Sequence, residues 1–312
     1  MIGFNLIPAN VNIKFIPRRA VFFVFSALLV AASVGLFTIH GLNYGIDFQG
    51  GIMIDVRTTD GPADISKMRR KLSGLGLGEV SLQEFGQPND VLIRIQRQDG
   101  GEAAQQAAVD NVKKALGAGI EYRRTEFVGP KVSDELFWDG LMAVGYAILA
   151  IMIYIWFRFE WQFGLGAVVA LLHDVLTTIG IFSLLGLEFN LSTVAAILTI
   201  AGYSINDTVV VFDRVRENMR KFKKMAFPEL LNNSINQTLS RTVITSLTTL
   251  LALLSLYLLG GEVIRDFSFA MIWGVIIGTY SSICLAVPLL LYMNIRRGGK
   301  VAPEEAAAPV SP

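Results

Sequence analysis

Residues Leu191–Arg214 read LSTVAAILTIAGYSINDTVVVFDR. The stretch is long and apolar enough to cross a bilayer, for which about 20 residues are needed. Yet it carries Asn206 and Asp207 deep inside. A carboxylate at membrane depth costs about 2.5–3.5 kcal/mol on insertion scales, so such a residue marks a functional site by default. At about 100° per residue, Ser192, Thr199, Tyr203, Asn206, Asp207 and Arg214 fall on one arc. The opposite arc is largely Val, Ile, Leu and Ala. The expectation is a membrane helix with a polar stripe toward protein or water and an apolar face toward lipid or other helices.

The rest of the chain agrees with that reading. Of 312 residues, 53% are hydrophobic, and the mean hydropathy is +0.51, which indicates a polytopic membrane protein. Five further apolar runs have near-spanning length: Ala20–Ile39, Leu141–Phe157, Phe163–Leu187, Val243–Leu259 and Phe267–Met293. The first has a charged start like a signal peptide but is too long and lacks a cleavage site, so it reads as a retained span. Residues 43–139 differ in kind, holding 12 Lys or Arg and 15 Asp or Glu. Strand-like alternation over Ile52–Thr58, Val80–Phe85, Val91–Arg97 and Ile120–Phe127 is interleaved with helical spacing over Pro62–Leu75 and Glu102–Leu116. The two middle strands flank a Gly-Gln-Pro-Asn-Asp turn. The order βαββαβ is the ferredoxin-like pattern. The fold class is therefore a polytopic α-helical membrane protein with six transmembrane helices and an α+β, ferredoxin-like extracytoplasmic domain between helices 1 and 2.

Charge sets the orientation. The segments expected on one side, including Lys14, Arg18, Arg19, Arg158 and the stretch Arg214–Arg241, together carry 14 basic residues. The two short loops on the other side hold only Arg265. The positive-inside rule puts both termini in the cytoplasm and residues 43–139 outside. The divisions are then a cytoplasmic tail 1–19, a first helix 20–40, the outer domain 43–139, a five-helix bundle 140–295 with a cytoplasmic loop 213–240, and a disordered, Ala-, Pro- and Glu-rich tail 296–312. Within that loop, Asp213, Arg216, Glu217 and Arg220 read as a solvated helix surface. Phe227–Ser240 reads as a helix lying at the interface before the fifth span.

Arg241, Thr245, Thr248, Thr249 and Ser255 form a second polar arc on the fifth span. The fourth and fifth spans run antiparallel, which brings Arg241 toward Asp207. Burial and a nearby cation act in opposite senses on a carboxylate's protonation, and a site poised between them can load and release a proton. The alternative is a static Asp207–Arg241 ion pair. In the third span, His173 and Asp174 precede Thr177 and Thr178. A histidine there can relay protons, or the pair can be a hydrogen-bonded part of the bundle interior. Gly274 and Gly278 form a GxxxG pattern, whose default meaning is close helix packing. Cys284 stands alone in an apolar run and reads as packing. No metal-ligand spacing, phosphate loop or dinucleotide fingerprint is present, so no cofactor or metal is expected.

Five stretches carry a close resemblance to the SecF family, the smaller half of the bacterial SecD–SecF protein-export factor. They are GIDFQGG at 45–51, FVGP at 127–130, AGYSINDTVVVFDR at 201–214, NQTLSRT at 236–242 and GGEVIRDFS at 260–268. Gln49 stands where the family usually has Thr. The resemblance implies kinship with the RND proton-driven exporters and pairing with a SecD-like subunit into a twelve-span unit. It also implies work beside the SecYEG channel, with YajC and YidC as further contacts, on unfolded preproteins in the inner membrane. The implied role is use of the proton-motive force for late-stage export, not enzymatic catalysis. The family's membrane carboxylate falls on Asp207, next to Asn206, and its arginine falls on Arg241. No nucleic-acid partner is implied. Two other readings compete. One is an intramembrane aspartyl protease with Asp174 and Asp207 as its dyad, although the usual Gly-x-Gly-Asp context is missing. The other is half of an RND-like small-molecule exporter.

Overall fold

The computed structural model describes residues 11–78, 80–261, 264–293 and 295. Most of the expected tail 1–19 and all of the tail 296–312, with Arg296, Arg297 and Lys300, lie outside the described residues.

Among the described residues, six helices are long and apolar enough to cross a membrane. They are α1 (Arg19–His40), α5 (Pro130–Arg158), α6 (Trp161–Leu185), α7 (Leu191–Lys221), α8 (Phe227–Leu259) and α9 (Arg265–Ser281), the last continuing through a π-helical turn, Ser282–Ala286, to Tyr292. The chain is a polytopic helical membrane protein. Helix α9 is the most enclosed span, while α1 and α5 are largely exposed. Their ends follow local chemistry. Asn190 caps α7 by accepting from the Thr193 amide at 3.1 Å, and Gly186, with φ of 63°, closes α6 in the left-handed region. Prolines 130 and 228 stand in the first turns of α5 and α8, where a missing N–H costs nothing.

Between α1 and α5 come β1 (Asn43–Tyr44), α2 (Ile46–Gln49), β2 (Gly51–Thr58), α3 (Ile65–Ser73), β3 (Val80–Phe85), β4 (Gln87–Ile95), α4 (Gly101–Leu116) and β5 (Ile120–Val128). Strands β2 to β5 form one antiparallel sheet in the order β3-β4-β2-β5. Ile52, Ile54 and Val56 of β2 and Val91, Ile93 and Ile95 of β4 point to one face, where Met68 and Leu72 of α3 and Val109, Val112 and Leu116 of α4 cover them. Burial of each such side chain contributes about 1.5–3 kcal/mol. The opposite face carries Met53, Asp55, Leu92 and Arg94 and lies over the ends of the membrane helices.

Three expectations are corrected. The Gly-Gln-Pro-Asn-Asp turn shrinks to Gly86, whose φ of 88° makes the reversal alone, and β4 already begins at Gln87. Phe227–Ser240 is not a separate interfacial helix but the first part of α8. Its Leu230, Leu231, Ile235 and Leu239 are buried in the main membrane core with Phe163, Phe212 and Leu290. The region 213–240 is accordingly no loop, since α7 runs to Lys221 and α8 starts at Phe227. Outside the expected pattern, β1 pairs in parallel with β6 (Glu188–Phe189), which joins the entry to the sheet domain to the connection between α6 and α7.

Candidate functional site

The acids of the bundle stand in two hydrogen-bonded groups that share α7 and α9. Asp174 of α6 is wholly buried. Its Oδ1 lies 2.9 Å from His173 Nδ1, and its Oδ2 accepts from Ser204 of α7 at 2.6 Å and from Ser281 of α9 at 2.7 Å. The hydroxyls of Thr177 and Thr178 donate back to the Asp174 carbonyl at 3.1 and 2.7 Å. The α9 backbone comes this close because of its glycines. A Cβ on Gly274 would stand inside the Ile200 side chain, and one on Gly278 would lie 3.1 Å from Ser204 Cβ and 3.5 Å from Asp174 Oδ2. The GxxxG pattern is therefore a helix-packing device, as expected. His173 is 3% exposed, and its Nε2 is buried without a hydrogen-bond partner among the described residues.

Asp207 sits one turn beyond Ser204 on the same face of α7 and is 3% exposed. The Thr279 hydroxyl of α9 is hydrogen-bonded to its carboxyl, and Ser246 Oγ of α8 lies 2.6 Å from Thr279 Oγ1. Asp207 Oδ2 is buried without a hydrogen-bond partner among the described residues. The other expected site residues are arranged differently. Asn206 is exposed, because one residue is a 100° step on a helix. Arg241 is exposed too and makes no ion pair among the described residues. Its charge reaches Asp207 only through space. The static ion pair is therefore not formed. Nor do Asp174 and Asp207 form a protease dyad. No hydrogen bond joins the two carboxyls among the described residues, and Asp174 spends its oxygens on His173, Ser204 and Ser281.

Asn206 belongs to an exposed strip on α7 made of Ser192, Ala195, Thr199, Gly202 and Asn206. Beside it, α8 exposes Arg241, Thr248, Ala252 and Ser255. Tyr203 and Thr249, 3.4 Å apart, join the two helices between the strips. The hydroxyls of Thr199, Thr248 and Ser255 bond to their own helix carbonyls, which lets them face a nonpolar environment.

Asp213 is not simply part of a solvated surface. Its two oxygens lie 2.8 and 2.9 Å from Arg158 Nη2, which ties the end of α7 to that of α5. Both side chains remain well over a third exposed, and such a pair adds little to stability.

Residues that sequence reasoning missed are Ser204, Ser281, Thr279 and Ser246. Their only signal was a hydroxyl inside a span. A second missed group lies where the sheet domain meets the bundle. Arg94 of β4 donates to Asn43 Oδ1 at 3.0 Å and to the Glu188 carboxylate. Asp47 of α2 accepts from the Leu191 amide at 2.9 Å, at the start of α7. Burial raises the Glu188 carboxyl above the usual range, against the lowering effect of Arg94.

A bundle of six spans that encloses two carboxyl groups and is joined to one α+β domain defines the class as a polytopic membrane protein. Residues 108–296 match the family described as protein export membrane protein SecD/SecF, C-terminal, and residues 35–61 match the SecD/SecF GG motif. The protein translocase subunit SecF of Rickettsia rickettsii is 46% identical over 95% of this chain and 97% of its own length. That of Cereibacter sphaeroides is 47% identical over 95% of this chain and 94% of its own length. The crystal structure of SecDF from Thermus thermophilus, a translocon-associated membrane protein, superposes with a TM-score of 0.83 at 37% identity. The match covers 92% of this chain, which spans 39% of the SecDF chain. SecDF in its super-membrane-facing form gives 0.68. The chain belongs to the SecF family.

Proposed function

We propose that this chain is one half of a two-part export unit. With a SecD-like subunit it couples the proton-motive force to the late stages of preprotein export across the bacterial inner membrane. The observation that carries the reading is Asp207, enclosed at bilayer depth with one carboxyl oxygen unpartnered. An acid in that state can gain or lose a proton without breaking a protein–protein bond to that oxygen. Arg241 gates it electrostatically from the same side. Asn206 and the exposed strips of α7 and α8 face the partner, and the correspondence to 39% of a longer SecDF chain supports such a partner. His173 and Asp174 are a second station for protons, beside Ser204. Moving one charge through the membrane potential yields about 2.3 kcal/mol per 100 mV, so a few protons suffice to bias a rigid-body movement.

The basic residues Arg158, Arg214, Arg216, Arg220, Lys221, Lys223 and Lys224 favour a cytoplasmic position for that side of the bundle and for both termini. The domain at 43–139 is then periplasmic, and its βαββαβ order with strand order β3-β4-β2-β5 supports a ferredoxin-like fold. Its work is on emerging preproteins, beside SecYEG, with YajC and YidC as neighbours. The test is export into inverted vesicles carrying the partner and Asp207→Asn. The expected result is normal assembly with loss of the proton-force-dependent increment. Full retention of that increment would end the proposal.

A further inference from the structure

The helices that hold Asp207 begin at one place, and Arg94 is bound to it. Helix α7 starts three residues after Glu188, and its first amide is held by Asp47. Helix α9 starts at Arg265, and the Asp266 carboxyl takes a hydrogen bond from the Glu188 backbone. Asn43, the other acceptor of Arg94, donates to the Gly186 carbonyl at the end of α6. Its strand is paired with the one that contains Glu188. Gly45 makes the close approach possible, since a Cβ there would stand against the Glu188 carboxyl and 3.1 Å from Asn190 Cβ.

Arg94 is the last residue but one of β4, opposite Met53 and Ser81. Its neighbours Ile93 and Ile95 anchor the strand in the domain core. The guanidinium is therefore fixed to the sheet at one end and to the roots of α7 and α9 at the other. Around it the junction is mixed. A cavity of about 120 Å³ lies between the sheet and the bundle, lined by Asp55, Glu188 and Asp266 but also by Met53, Leu92 and Phe267. The contact is thus incompletely filled, and Arg94 and Glu188 are the charged pair that crosses it. The Arg94–Glu188 pair is in contrast enclosed, its side chains 15% and 14% exposed.

We infer that Arg94 is the positioning residue through which displacement of α7 and α9 at Asp207 reaches the sheet domain. The inference rests on the export reading above. Asp207 lies 16 residues from the start of α7, about 24 Å along the axis, and a helix transmits an axial shift over that length as a rigid rod. Arg94, Glu188 and Asn43 receive it where the chain enters and leaves the membrane. The bond must hold through the stroke for the domain to follow.

The test uses the full chain with its SecD-like partner in proteoliposomes, comparing Arg94→Glu, Glu188→Arg and the charge-exchanged double variant. Two readouts separate coupling from folding: proton-force-dependent export, and the pH-dependent infrared band of the Asp207 carboxyl, assigned by its loss in Asp207→Asn. Each single reversal is expected to lower the export increment about tenfold, within the usual range of coupling between sites, while the infrared titration persists. The double variant is expected to recover most of the increment. If a reversal prevents assembly, Arg94→Gln replaces it, with the same expectation. Unchanged export in the single variants, or no recovery in an assembled double variant, overturns the inference. If Asp207→Asn itself retains the increment, it is the export reading that falls.

Discussion

Replacing Ser204 and Ser281 by alanine, singly and together, tests whether Asp174 ties α6, α7 and α9 into one unit. Both hydroxyls donate to the same oxygen, Oδ2, at 2.6 and 2.7 Å, inside a wholly buried site. Removing either leaves Oδ2 with the other donor. Each single change is therefore expected to cost about 0.6–1.7 kcal/mol, the span from the average to the largest interhelical hydrogen bond in bacteriorhodopsin. Removing both orphans a buried acceptor and adds its desolvation penalty, about 1–3 kcal/mol. The double variant should thus exceed the sum of the singles by at least about 1 kcal/mol. Collapse of the site cannot hide this, since Gly278 already brings the α9 backbone against Ser204 Cβ and Asp174 Oδ2. The measurement is a double-mutant cycle by denaturant unfolding in mixed micelles, followed by tryptophan fluorescence. Distant, independent sites add within about 0.3–0.5 kcal/mol. Additivity within that margin would show that the two serines do not share one acceptor and would refute the reasoning.

The α7–α9 crossing makes a steric prediction. Gly274→Ala drives a methyl into Ile200 and should cost about 1–3 kcal/mol by overpacking, with Ile200→Ala in the same chain recovering part of that loss; thermal unfolding of the three variants reads it. In the sheet domain, two acids should give opposite pH signs. Asp90 is held below the usual carboxylate range by its hydrogen bond to Arg57, at 2.6 and 2.7 Å, so its contribution is present above about pH 3.9 and lost as pH falls through its folded value. Burial pushes Asp55 up, and its Oδ1 has no hydrogen-bond partner among the described residues, so its ionisation works against folding as pH rises. Hydrogen exchange of β2 and β4 should accordingly show Arg57→Gln losing protection at neutral pH, and Asp55→Asn gaining it.

Hydropathy alone separates the six spans from the charged segment 43–139, because each span must bury its backbone within itself and show lipid an apolar surface. Period-two alternation likewise finds β2, β3 and β5 within about a residue. Other features depend on neighbours that periodicity does not specify. Leu230, Leu231, Ile235 and Leu239 lie at a spacing shared by an interfacial helix and a buried one, and only the covering residues Phe163, Phe212 and Leu290 decide between them. A wide polar arc on a helix cannot distinguish Asn206, which faces outward, from Asp207, which faces inward. Asp207 itself was legible because a carboxylate in an apolar run has no inexpensive explanation. Ser204, Ser246, Thr279 and Ser281 were not, since a hydroxyl can bond to its own helix, as Ser246 also does with the Thr242 carbonyl at 2.9 Å.

The contrast between the two acids follows from how many of their oxygens are used. Asp174 is supported from α7 and α9, through Ser204 and Ser281, and Asp207 from α9 alone, through Thr279. Asp174 has both oxygens engaged, one by His173 of its own helix and one by hydroxyls of α7 and α9. Asp207 has one oxygen engaged and one idle, and the residues around it on the lipid or partner side, Asn206 and Arg241, are exposed. Protonation of the free oxygen of Asp207 therefore breaks no bond among the described residues of its own chain, and one helical turn separates Asp207 from Ser204. Of the two acids, Asp207 is the one whose protonation disturbs the fewer bonds.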